Sequence, residues 1–415
     1  MRLPALLLTA GLLVGAGVFA GRLQPQVDMP VTASVPSTPD LPAESAPVQA
    51  KVAQAVATGG EAGPEAPSAR PETTPPEASP PASEPEPDVS TPPPALPASA
   101  NVPGIRHEYQ RLNNCGPVTV GMALSRWGSQ LDQYDIAPHL KANRGDVNVS
   151  PEELATFARS QGMEVHLAQG GSRELLRRLL AAGYPVIVET WFVTEHGGMG
   201  HYRLLTGYDD AAQKFSALDS YLGRLNLPYA RLDELWRSFG RTFLVVSPPD
   251  REAEVRGLLG SQADAKAAQR EALRVALAEA GRRQDAVGWL NVGQAKLAVG
   301  DARGAARAFD QAFAAKVDPA LDPTRPARVV GGLPWRTLWY SFGPLEAYSR
   351  VGRYADVLRL TGAVLRDAPA HEEALYWRGR ALSGLGRTAE AKAAYREALR
   401  LRPGYMAARV ALGQL

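Results

Sequence analysis

The sequence predicts an α+β domain followed by an all-α repeat solenoid, with a disordered proline-rich linker ahead of both. Three observations carry this prediction. Residues 23–103 hold 20 of the 35 prolines and no aromatic residue. From 104 to 250 helical and strand patterns interleave. Beyond Arg251 the composition turns to alanine, leucine and arginine, and a self-similar period of 34 residues emerges.

At 415 residues the chain exceeds one ordinary domain. Residues 1–22 place Arg2 before an apolar run from Leu3 to Gly21 that ends Val18-Phe19-Ala20, small residues suited to a signal peptidase. The run also approaches the length that spans a bilayer, so it reads as a cleaved signal peptide or an uncleaved membrane anchor. Either reading exports the remainder, making the protein secreted or membrane-anchored on the extracytoplasmic side. Residues 23–103 cannot bury enough apolar surface to offset ordering entropy, and Pro80-Pro81 and Pro92-Pro93-Pro94 favour extended polyproline conformations. The linker carries two basic and ten acidic residues within a chain of net charge +2, which leaves the folded part mildly basic. That balance is too weak to favour nucleic acid.

Within 104–250, Gly116 to Trp127 reads as a helix. Ser150-Pro151-Glu152-Glu153 opens a second with an N-cap, a proline at the first helical position and a capping-box glutamate. Ser172 to Ala182 reads as a third. Strands are expected at Met163–Leu167, Pro185–Val193, Tyr202–Tyr208, Phe215–Tyr221 and Thr242–Val246, all rich in β-formers. Asp209 to Ala212 joins the third and fourth as a hairpin turn.

Residues 251–285 read as a helical connector or degenerate repeat, and 286–415 as repeats interrupted by an insertion at 320–337. Gly293, Gly300, Ala305, Phe309 and Ala312 of one copy match Gly379, Gly386, Ala391, Tyr395 and Ala398 of another, and Pro369 and Pro403 fall one period apart. These positions resemble the tetratricopeptide repeat, whose small residues let two antiparallel helices approach while an aromatic fills the space between them. The copies span 286–319, 338–371 and 372–405, the middle one degenerate at Leu345, Val357 and Thr361. Stacked helix pairs present a concave surface, so a protein partner is expected there, or else a purely structural role.

Cys115 is the one cysteine, so no intramolecular disulfide forms. It stands in Gln110-Arg111-Leu112-Asn113-Asn114-Cys115-Gly116-Pro117, at the start of the first helix, where the dipole and unpaired amides favour a thiolate. Gly116 is expected to keep bulk away from the sulfur, and Asn113 or Asn114 to cap the helix. A thiolate nucleophile needs an imidazole and a group that orients it. His201 opens the strand ending Thr206-Gly207-Tyr208, and Asp219 lies on the next strand; a turn centred on 211 and 212 sets Asp219 opposite 202–204. His196 is the rival base, read as loop surface. His107, His139, His166 and His371 are read as ordinary surface or core residues.

Gln110, Cys115-Gly116-Pro117, Gly200-His201-Tyr202 and the later aspartate together resemble papain-like cysteine peptidases of the bacteriocin-leader-processing (double-glycine) group, over 104–249. The resemblance implies Cys115 as nucleophile, His201 as general acid/base, Asp219 as its orienting partner, and Gln110 with the Cys115 amide as oxyanion donors. Where the family often has proline after the aspartate, this chain has Ser220. The transporter domains of leader-processing members are absent, so a double-glycine substrate is not implied.

The expected activity is therefore hydrolysis of a peptide or amide bond in a peptide or protein substrate. The alternatives are a cysteine acyltransferase using the same residues, or a non-catalytic peptide-binding module. No cofactor or metal is expected: the sequence has no phosphate-binding glycine loop, and a zinc site built on His196 and His201 lacks helical ligand spacing.

Overall fold

The computed structural model describes residues 95–415 apart from 112, 144, 195, 196, 317, 319 and 322–330. The N-terminal apolar segment, the linker as far as residue 94, His196 and the centre of the insertion lie outside the described residues.

The α+β domain comprises β1 (Ser99–Asn101), α1 (Cys115–Ser125), α2 (Gln133–Leu140), α3 (Pro151–Ser160), β2 (Glu164–Ala168), α4 (Arg173–Ala181), β3 (Val186–Thr194), β4 (Gly197–Asp209), β5 (Lys214–Asp219), β6 (Gly223–Pro228), α5 (Tyr229–Trp236) and β7 (Phe243–Ser247). Its sheet runs β2-β7-β3-β4-β5-β6, with β1 paired to the far end of β4. Every pairing is antiparallel. Pairing along β3, β4 and β5 buries successive side chains on opposite faces. Ile187, Tyr202, Leu204 and Leu218 pack under α1 and α3. Val186, Val188, Leu205 and Phe215 pack with α4 and α5.

The sheet begins before the expected Gly104 boundary. Ser99–Asn101 pairs with Asp209–Gly207, so the last residues assigned to the linker are part of the fold. The Ser150 capping box forms as read: Glu153 N–H donates to Ser150 Oγ at 3.3 Å and Ser150 N–H to Glu153 Oε2 at 2.8 Å. Such a cap contributes about 1 kcal/mol. Four elements of this domain escape the sequence reading: β1, α2, β6 and α5. Helix α2 carries Pro138 in its interior, which ordinarily argues against a helix, yet Asp132 caps it with Asp135. Strand β6 is a half-exposed edge strand ending in Pro228.

Strand β4 also starts five residues earlier than expected, because the glycine run pairs with Trp191–Thr194 of β3. Glycine is required there. A Cβ at Gly198 would collide with the Trp191 indole and the Leu321 carbonyl, and one at Gly200 would press on Phe239 and Tyr340.

After α6 (Glu252–Leu259) and α7 (Ala265–Arg283), the repeats supply α8 (Ala286–Ala298), α9 (Ala302–Ala314), α11 (Gly343–Arg350), α12 (Tyr354–Asp367), α13 (Glu372–Gly384), α14 (Thr388–Leu401) and α15 (Met406–Gly413); the short α10 (Thr337–Tyr340) begins where the insertion ends. The small-residue logic holds in detail: a Cβ at Gly293 would strike the Phe309 ring, and one at Gly379 the Tyr395 ring. In the degenerate middle copy Leu345 and Val357 fill the same interhelical space and are fully buried.

Candidate functional site

Cys115 is the first residue of α1 and half-buried. Asn114 occupies the N-cap position but does not cap: its Nδ2 donates to Gln133 Oε1 at 3.1 Å and its Oδ1 accepts from Lys141 Nζ at 3.4 Å. The amides of the first turn therefore keep no side-chain acceptor from the cap residue, and the Gly116 N–H donates to the Cys115 sulfur. Gly116 has a packing role as well. A Cβ there would press on Val149 and Leu154, so its smallness serves the packing of α1 on α3.

The β4–β5 ladder ends at the pair Arg203–Asp219, inside the expected register window. One residue beyond it, the Tyr202 N–H donates to the Cys115 sulfur, and the His201 side chain hydrogen-bonds the thiol. His201 Nε2 faces Asp219 Oδ1 at 3.0 Å, which leaves Nδ1 for the sulfur. Both residues are essentially excluded from solvent, at 3% and 0% exposure. Asp219 Oδ1 also accepts from the Tyr221 and Leu222 amides at 2.8 and 2.9 Å, while Oδ2 lies 2.9 Å from Arg203 Nε. Arg203 in turn donates to Thr190 Oγ1, whose hydroxyl bonds the His201 carbonyl at 2.9 Å. Phe192 stacks on His201 with ring centroids 5.0 Å apart.

This packing sets the protonation states. Burial pushes the Cys115 thiol up, but the hydrogen bond and charge of His201 with the Tyr202 and Gly116 amides outweigh it, and the thiol lies below its ordinary value. Burial would depress His201; its hydrogen bonds to Asp219 and Cys115 prevail and raise it. Burial would raise Asp219, yet His201, Arg203 and the Leu222 amide hold its carboxyl well below the usual carboxylate range. The arrangement favours thiolate beside imidazolium over the neutral pair.

Gln110 is held by the residue after Asp219. Its N–H donates to the Ser220 carbonyl at 2.8 Å, and its Oε1 accepts from Ser220 Oγ at 2.7 Å. A proline at 220 could not supply that hydroxyl, so the departure from the family pattern has a positioning role in this chain. Buried Gln133 of α2 organises the same loop. It accepts from the Arg111 N–H at 2.7 Å and donates to Glu108 Oε1 at 2.7 Å and the Tyr109 carbonyl at 2.9 Å.

The repeat region reaches this site through the insertion and the short helix α10 after it. The Trp191 indole donates to the Leu321 carbonyl at 2.7 Å, Arg336 Nη1 to the Gly198 carbonyl at 3.3 Å, and the Gly200 N–H to the Tyr340 hydroxyl. Beside Tyr340 a cavity of about 830 Å³ opens between the α+β domain and helices α8 and α11. Glu189 of β3 lines it.

Residues 100–243 match the model of the Peptidase_C39 like family, and residues 372–405 match that of the tetratricopeptide repeat. The α+β domain has a C39-like fold. Among solved structures, a double glycine motif protease from an AMS/PCAT transporter in complex with the leader peptide is similar at 17% identity, over 36% of this chain and 94% of that one, with a TM-score of 0.29. A putative C39-like peptidase from Bacillus anthracis is similar at 17% identity over 36% and 96% of the two chains, with a TM-score of 0.30. Over 40% of this chain and 83% of that one, MamA from Desulfovibrio magneticus RS-1 is similar at 23% identity, with a TM-score of 0.29. No curated protein sequence matches the chain.

The structure brings Cys115, His201 and Asp219 of the C39-like domain together and ties Gln110 to Ser220 beside Asp219. The sequence reading does not find Arg203, Gln133 and Tyr340, nor the bond of Ser220 to Gln110. Arg203 alone left a signal, a charged residue inside an apolar strand; the others have partners too far off in sequence to be read locally. Among the described residues no group of His, Cys, Asp and Glu is arranged to hold a metal ion, and no helix is long and apolar enough to cross a membrane.

Proposed function

We propose that the C39-like domain hydrolyses a peptide or amide bond through Cys115, His201 and Asp219, with the repeats recruiting the substrate or a protein partner. The reading rests above all on one observation: a partly buried cysteine at an uncapped helix start shares a hydrogen bond with an imidazole whose other nitrogen is fixed by a buried carboxylate. The Cys115 proton passes to His201 and the sulfur attacks the carbonyl carbon. The resulting oxyanion accepts from the Cys115 N–H and from Gln110, whose carboxamide oxygen is committed to Ser220 and which therefore acts through Nε2. As the C–N bond breaks, His201 returns the proton to the leaving amine. Water, deprotonated by His201, then hydrolyses the thioester and regenerates the thiol. The apolar segment at 1–22 supports an extracytoplasmic location, secreted or membrane-anchored.

The test is the rate of Cys115 alkylation by iodoacetamide against pH in the full chain and in His201→Ala. Reactivity in the wild type should persist well below the roughly 8.5 of an ordinary cysteine. The variant should revert to an ordinary profile. A wild-type profile already centred near that ordinary value would replace the peptidase with a non-catalytic binding module.

A further inference from the structure

The cavity between the C39-like domain and the repeats contains a carboxyl with no structural duty. Glu189 stands mid-strand in β3, is only 6% exposed, and its side chain makes no hydrogen bond or ion pair with any described residue. A buried charge without a partner is costly, and such groups ordinarily pair or shift to the neutral form. Burial first, then the negative charges of Glu152 and of the Cys115 thiolate, push Glu189 well above the usual carboxylate range.

Glu189 is also close to the chemistry. It is paired across the ladder with Tyr202, the residue whose N–H holds the Cys115 sulfur. Residues so paired lie about 5 Å apart at Cα, which sets Glu189 one strand away from the residue that holds the sulfur. The other charged groups on the cavity wall are Glu152, Arg159, His166, Glu346 and Arg350. Arg350 is paired with Glu346, Arg159 donates to the Val165 carbonyl, and His166, lowered to about 4 by burial and by Arg256, is neutral near pH 7. Arg159 keeps its charge but forms no ion pair with either remaining carboxyl, Glu152 or Glu189, which repel one another.

We propose that this cavity is a substrate subsite for a basic side chain, lysine or arginine, within two residues on the acyl side of the scissile bond, with Glu189 as its counter-ion. The inference rests on the peptidase reading above and names the substrate class of that site. An entering ammonium or guanidinium supplies the missing charge, and the carboxyl then ionises against it. The cavity floor is built by the repeats through Leu290, Asn291, Gln294 and Tyr340, so the subsite is complete only with both regions present.

The test uses the full chain and tripeptidyl chloromethyl ketones with lysine, or its neutral isostere norleucine, at either of the two residues before the reactive carbon. Inactivation is followed as covalent mass added to Cys115. At one of the two positions the lysyl reagent should react on the order of tenfold faster than the norleucyl one, equivalent to about 1.4 kcal/mol. Glu189→Gln should bring the ratio to about one, while Glu189→Asp, which keeps the charge, should retain a preference. A wild type that alkylates well with iodoacetamide at low pH but prefers norleucine, or neither reagent, at both positions would overturn the subsite and leave the peptidase standing. A lysyl preference that survives Glu189→Gln would also overturn it. An ordinary iodoacetamide profile would instead remove the peptidase reading itself.

Discussion

Two buried histidines in this molecule are built alike and stand in different surroundings. His201 pairs with Asp219, which is also held by Arg203. His371, at the start of α13, lies 3.1 Å from Glu373 Oε2, and Arg402 lies 3.9 Å from the same residue's Oε1. The sequence reads His371 as an ordinary surface or core residue; in the structure it has a paired acid two residues on. Yet His371 Nε2 donates to the Trp339 carbonyl at 3.1 Å, so both ring nitrogens are engaged structurally and none faces a nucleophile. His201 gives one nitrogen to Asp219 and the other to the Cys115 sulfur. A His–carboxylate–arginine group therefore does not mark a reactive site by itself. The sulfur facing the second nitrogen makes the difference.

The second cluster has a different task. Arg402, just after α14, lies 2.5 Å from Glu153, 3.1 Å from Glu372 and 3.9 Å from Asp146. It joins the last repeat to the loop and helix start that carry the Ser150 capping box. One guanidinium serves four carboxylates, and that imbalance shows. Burial and the neighbouring Glu373 and Asp146 push Glu372 up to about 8, despite its contact with Arg402.

The largest expected difference between the two histidines lies in reactivity. At pH 6.5, His201→Ala should slow Cys115 alkylation on the order of a hundredfold, because an ordinary thiol is then only about 1% thiolate. His371→Ala should leave the alkylation profile where it is. A comparable loss in both variants would erase the distinction.

The next effect concerns stability. Arg402→Met leaves buried acids without their cation and should cost about 3–5 kcal/mol in denaturant unfolding. Loss of less than about 1 kcal/mol would show that the contact between the two regions does not depend on it.

The smallest effect has a sign set by linkage. Glu372 has a raised folded value, so its stabilising contribution is complete below about 4.3, the unfolded carboxylate value, and is lost as pH rises towards 8. Asp219 has a depressed folded value, so its contribution is complete above about 3.9 and is lost only on acidification below that. Glu372→Gln should accordingly flatten the decline in unfolding free energy between pH 4.5 and about 8, an effect on the order of a few kcal/mol. An unchanged slope would refute the assignment.

Much of this architecture was legible because it is local or periodic. The start of α1 at Cys115, the Ser150 capping box and the 34-residue repeat follow from neighbouring residues and from helix geometry, which a linear sequence displays directly. The hairpin that sets Asp219 opposite Arg203 follows from turn length and a two-residue side-chain period. Tertiary structure alone decided what surrounds them. Arg203 behind Asp219, Ser220 under Gln110, Glu189 unpaired in its cavity, and Leu321 and Tyr340 reaching over the glycine run all depend on where the chain returns after a long excursion, 130 residues in the case of Trp191 and Leu321. No propensity or spacing encodes such a return, because it is fixed by the simultaneous packing of two separate hydrophobic cores.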